Sequence, residues 1–293
     1  MAGFIVIVQV LALTMASPME AEGMQAFENP ASVWNPVYYI LLILAFTVFI
    51  LFVIKTDKKY ILHAILLFAV AATMYYVFVI FIGNVPAILL TTAITVLLYK
   101  FPEWYVVDIT GILVGAGASA IIGISLEILP TLILLILLTI YDIISVYKTK
   151  HMITLAEGVM DLHAPILFVV PKRRDYSFVK QDFAAEAGDG ERGAYFMGLG
   201  DAVMPTILVV SASVFLPAGC MAVQLPLLGG IALPVVLAAI GTLIGYTVLM
   251  IVVMGGKPQA GLPFLNTGAI LGYVAGCVVA GIPILPVALT ACV

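Results

Sequence analysis

Charge is what this chain has least of: 12 Lys and Arg and 16 Asp and Glu among 293 residues, 10% of the total. Ordinary soluble domains carry about 25%, so a large water-facing surface is excluded. Basic residues are too few for a nucleic-acid-binding face. Their one run, Lys172-Arg173-Arg174, suits a membrane-surface flank instead. Cysteine is scarce as well: Cys220, Cys277 and Cys292 form no CxxC pair, and the odd number rules out a fully paired disulfide framework. Their reading is apolar packing. His63, His151 and His163 include no HExxH and have no cysteine near them, so no metal site is expected.

Apolar sequence is abundant: 64% of residues are hydrophobic and the mean hydropathy is +1.23. A span needs about 20 mostly apolar residues. Nine segments qualify, at 2–17, 36–54, 60–82, 85–99, 105–125, 128–147, 193–216, 228–254 and 262–281. The chain therefore reads as an all-α polytopic bundle of nine transmembrane helices. Its first segment lacks the positive flank and A-x-A site of a signal peptide and reads as a retained helix.

Lys and Arg set the orientation. With nine spans, all twelve fall in loops on one side, while the opposite loops carry Glu20, Glu22, Glu28 and Glu127. The expectation is a cytosolic N-terminus and an outside C-terminus in a multi-pass cell-membrane protein. One membrane domain follows: helices one to six over 1–147, a cytosolic loop over 148–192, and helices seven to nine over 193–293. Within the loop, 151–170 suits an interfacial helix, and the polar stretch 175–191 is expected to be mobile.

Against this background two aspartates stand out. Asp142 lies in Leu138-Thr139-Ile140-Tyr141-Asp142, and Asp201 in Gly198-Leu199-Gly200-Asp201. A carboxylate at such depth costs at least ~2.5–3.5 kcal/mol and persists only with a partner or a wet site. Counted by helix rise from the ends of spans six and seven, they lie roughly 9 and 12 Å deep. Antiparallel neighbours thus bring them to one level. Paired carboxyls sharing a proton are apparatus for peptide hydrolysis: one takes a proton from water, the other protonates the carbonyl oxygen. Gly198 and Gly200 let the backbone pass close to a site, and a side chain at Gly200 would displace the carboxyl or block the water.

Tyr141-Asp142 and Gly198-Leu199-Gly200-Asp201 resemble the YD and GxGD motifs of the presenilin and signal peptide peptidase family of intramembrane aspartyl proteases. That family also has Pro-Ala-Leu at the start of its last span, where this chain reads Ala260-Gly261-Leu262-Pro263; only Leu262 and Pro263 match. The resemblance covers the whole chain, and the orientation and compact loop resemble archaeal presenilin homologues. It implies Asp142 and Asp201 as the catalytic pair, with Tyr141, Gly198, Leu199, Gly200, Leu262 and Pro263 as support or substrate-binding positions. No cofactor is implied. The partners implied are transmembrane-helix polypeptide substrates and the bilayer, with no oligomeric state specified.

Other features weigh less. Asp108 reads as a solvated residue near a span end before a group tuning the site, and Glu127 as surface. Gly115-Ala116-Gly117-Ala118-Ser119-Ala120 reads as helix packing rather than a nucleotide loop. Gly268, Gly272 and Gly276 recur every four residues on span nine, and Gly241 and Gly245 on span eight. Each series predicts close helix–helix contact, internal rather than between subunits for span nine, which must reach the catalytic helices. The rival function is a proton- or cation-coupled transporter or channel using the same aspartates.

Overall fold

The computed structural model describes residues 1–56, 59–149, 167–172, 176, 178, 193–216, 222–225, 229–253 and 259–285. Among them are nine helices. These are α1 (Ala2–Ala21), α2 (Trp34–Lys55), α3 (Lys59–Ile82), α4 (Asn84–Lys100), α5 (Trp104–Ser125), α6 (Ile128–Ile144), α7 (Leu199–Phe215), α8 (Leu233–Val253) and α9 (Leu262–Ala280). Seven are long and apolar enough to cross a membrane. α4 and α7, apolar but of 17 residues each, are shorter. Two antiparallel ribbons interrupt the helices, β1 (Leu167–Pro171) with β2 (Ala194–Gly198) and β3 (Ala222–Leu225) with β4 (Gly229–Ala232).

Helix ends follow local chemistry. Gly83, at φ +75°, turns the chain from α3 into α4, a conformation that costs a residue without Cβ little. Pro102 and an extended Glu103 precede α5. Pro263 sits in the first turn of α9, where a missing N–H leaves no hydrogen bond unmade. Gly281 closes α9 in the left-handed conformation.

α5 and α7 are the interior helices. α7 is apolar on every side and buried accordingly, from Ala202 and Val203 through Pro205 to Ala212. One core packs Leu135 of α6, Leu208 of α7, Val235 of α8 and Tyr273 of α9; another packs Met15 of α1, Val77 of α3, Ala120 of α5 and Val210 of α7. The small residues of α5 are notches for neighbours. A side-chain carbon on Gly115 would meet Leu199 at 3.0 Å, one on Gly117 would meet Val77 at 2.3 Å, and Ser119 donates to the Val203 carbonyl at 3.3 Å. The glycines of α8 and α9 meet backbone to backbone. A carbon added at Gly241 would lie 2.1 Å from the Gly268 carbonyl oxygen, and one at Gly272 2.1 Å from that of Leu237.

Two expectations need correction. The seventh apolar segment does not run as helix from residue 193: residues 194–198 pair as a strand and the helix starts at Leu199. Gly193 and Gly198 bracket the Tyr195-Phe196 pair, whose aromatic rings favour a pleated surface, and β1 supplies the partner edge. The interfacial helix expected over 151–170 fails at 167–170, which is β1; 151–166 lies outside the described residues. Most of 175–191 lies outside them as well. Phe178 within it is buried against Trp104 and Phe196, and its N–H bonds Glu103 at 3.1 Å.

Candidate active site

Asp142 sits near the end of α6, three residues before the π turn at Ser145–Thr149, and its side chain is buried. Asp201 is the third residue of α7 and partly buried. Equal helix rise does not put them at one level, because β2 rather than helix leads into α7. The first turn of α9 brings them together. Leu262 donates its backbone N–H to Asp142 Oδ2 at 3.1 Å. A side-chain carbon on the preceding Gly261 would lie 2.8 Å from Asp201 Oδ1 and 3.1 Å from Oδ2. Adjacent residues thus face one carboxylate each.

Helix chemistry explains both contacts. The first N–H groups of a helix have no partner within it and carry its positive end. Leu262 gives such a group to Asp142. Asp201, three residues beyond the N-cap Gly198, has its carboxylate beside that cap: a side-chain carbon on Gly198 would lie 3.4 Å from Asp201 Oδ2, the position that the acid of a capping box takes. The G-x-G-D spacing is therefore a helix start with its acid turned back on the cap.

α6 and α9 are tied on both sides of this point. One turn deeper, buried Asn266 donates to the Leu135 carbonyl at 3.3 Å and to Thr139 Oγ1 at 3.1 Å. At the other side, Tyr147 donates to Gln259 Oε1 at 2.6 Å. These three rungs fix the register between the helix carrying Asp142 and the segment facing Asp201.

The other expected positions divide. Leu199 packs against Gly111 and Gly115 of α5, and the Leu262 side chain joins Leu138, Val203 and Ile207. Pro263 supports the α9 start, and Tyr141 lies partly buried beside Asp142. A carbon on Gly200 meets nothing within 4 Å, so protein packing does not demand glycine there. The tight glycine is Gly261. Sequence reasoning passed over it because it departs from the family motif. Asn266 and Tyr147 carried no motif signal; a lone Asn in an apolar span was the available cue. Asp108 is not solvated: it is 4% exposed, and its Oδ1 accepts the Val169 N–H at 2.7 Å.

The family model for signal-peptide peptidase, presenilin aspartyl protease matches residues 2–282. The chain belongs to this family. Two solved structures, each a presenilin family intramembrane aspartate protease, are similar over 95% of this chain and 96% of theirs. In the C222 crystal form the identity is 37% with a TM-score of 0.66, and in the P2 form 39% with 0.67. No curated protein sequence matches it. The chain is thus an intramembrane aspartyl protease, a membrane hydrolase acting on transmembrane polypeptides, and the transporter reading finds no support.

Proposed function

We propose that Asp142 and Asp201 are the catalytic pair and hydrolyse peptide bonds of transmembrane helices within the bilayer. The observation that carries this reading is their convergence on Gly261 and Leu262, which draws acids 59 positions apart onto one helix start. The pair works with a single shared proton: the anionic carboxylate takes a proton from water, which attacks the scissile carbonyl, and the protonated one hydrogen-bonds and then protonates that oxygen. Neither role is assigned to one residue, because the pair titrates as a unit.

A substrate helix hides its carbonyls in backbone hydrogen bonds, so it unwinds locally before attack and its freed backbone needs new partners. In this reading the ribbon leading into α7 offers them along its strand edge, in the manner of strand addition. All nine helices span the cell membrane in this reading, as one domain, with the 148–192 loop and the N-terminus cytosolic and the C-terminus outside. Tyr141, Gly198, Leu199 and Pro263 support the pair by packing, and no cofactor takes part.

Purified protein incubated with a single-span substrate tests the assignment. Asp142→Ala and Asp201→Ala should each lose cleavage by 10²-fold to 10⁴-fold, about the contribution of one acid–base group, with unchanged thermal unfolding. A folded single variant cleaving at the parental rate would remove that residue from the pair.

A further inference from the structure

We propose that Asp108 is a positioning residue for Asp201, acting as a latch that seats the β1–β2 ribbon on α5; this rests on the reading of Asp201 as catalytic.

Lys172 donates to the Gly193 carbonyl at 3.0 Å, and these residues continue the ribbon register. In an antiparallel pair, mutually bonded positions alternate with unbonded ones. Val170 with Tyr195 and Phe168 with Met197 therefore hold the two strands together. Val169 points its N–H away from β2, onto the outer edge of β1, and Asp108 Oδ1 receives it at 2.7 Å. Pro171, next along that edge, has no N–H to satisfy. Gly198 is on an unbonded position too, so its N–H faces away from β1.

The rest of the α5 face continues the contact. Asp108, Gly111, Gly115 and Ser119 recur at three and four residues and share one side of the helix. A carbon on Gly111 would meet the Phe168 ring at 3.2 Å, Gly115 faces Leu199, and Ser119 reaches Val203. Phe168 is itself stacked on Phe4 of α1, with ring centroids 5.0 Å apart. One side of α5 thus receives first the strand and then the helix that carries Asp201. Apolar contacts can slide along such a groove. The hydrogen bond to Val169 is directional and sets where the ribbon stops. Asp201 lies only five positions beyond Phe196, which is opposite Val169, so a slip of the ribbon is passed to the carboxylate.

Asp108 Oδ2 is buried with no hydrogen-bond partner among the described residues. A carboxylate with half its acceptors unmet is an expensive way to cap one N–H, so what Asp108 supplies is the position of the strand rather than stability.

Three variants in the full chain test the latch: Asp108→Asn, which keeps an oxygen for Val169; Asp108→Leu, which does not; and Val169→Pro, which deletes the donor at a position the ladder does not use. Asp108→Leu and Val169→Pro should each lower kcat by roughly 10-fold to 100-fold, the scale of a small misplacement of a catalytic group, with KM changing far less. The double variant should lose no more than the worse single one. Asp108→Asn should stay close to the parent, and amide exchange over 194–198 should rise in the Leu and Pro variants alone. Parental kcat in folded Asp108→Leu or Val169→Pro would overturn the latch. So would an Asp108→Asn variant as impaired as Asp108→Leu, which would assign the effect to charge. Cleavage by an Asp201→Ala control would instead remove the reading on which the latch rests.

Discussion

At the scale of single residues, Gly261 and Gly200 make opposite demands. Gly261 has ordinary helical backbone angles, so only space requires glycine, and the space belongs to the Asp201 carboxylate. Gly261→Val should push that carboxylate aside and lower kcat by up to ~10²-fold with little change in unfolding temperature. Gly200→Ala has room and should cleave near the parental rate. Steady-state kinetics on the two purified variants checks both; a Gly261→Val enzyme as fast as the parent would mean that Asp201 does not act from its observed place. The sequence showed the two aspartates at once, because charge in an apolar run is conspicuous. It concealed Gly261, whose importance lies in a neighbour 60 positions away. Asp108 was misread for a related reason: closeness to a span end suggests water, but the strand that covers it comes from another part of the chain.

At the scale of elements, the α6–α9 rungs and the α8–α9 glycines differ in kind. Asn266 contributes hydrogen bonds between helices, which average about 0.6 kcal/mol in membrane bundles and rarely exceed ~2 kcal/mol. Asn266→Leu should therefore lower stability modestly while shifting Leu262 relative to Asp142, so that activity falls more than folding does. Parallel unfolding and cleavage measurements would separate the two effects. The glycines allow no such grading. At Gly268 an added carbon would sit 2.2 Å from the Gly241 carbonyl oxygen, and a backbone cannot swing away as a side chain can. Gly268→Leu should prise the helices apart and leave little folded protein, as size-exclusion chromatography would show. Helix positions were legible because apolar length alone marks them, and the four-residue glycine repeats marked close helix contact without naming which helices meet; the structure pairs α8 with α9. The β1–β2 ribbon was not legible. Its strands are five residues long, apolar, and adjoin a helix of the same composition, so hydropathy runs through the boundary without a change.

At the scale of the whole molecule, the first residues of α1, α5, α7 and α9 and the last turn of α6 gather at one end. At the other, Ala26 bonds Ser125 and Glu127 bonds the Pro30 carbonyl. The two aspartates belong to the first end. If that end is cytosolic, as the Lys and Arg distribution proposes, the first cut in a substrate helix should fall in its cytosolic half. Mass spectrometry of the products would reveal it, and an initial cut in the outer half would count against the orientation or the site.

The backbone-level fit of α8 against α9 also bears on how this protein is put together. Two helices locked so closely form a hairpin able to assemble in the bilayer before it meets the rest, and that hairpin carries Gly261 and Leu262, one wall of the site. A chain severed between Phe215 and Ala222 and expressed as two pieces should then recombine, and proteolysis would be restored only where the fragments had found each other. The enzyme would report its own assembly.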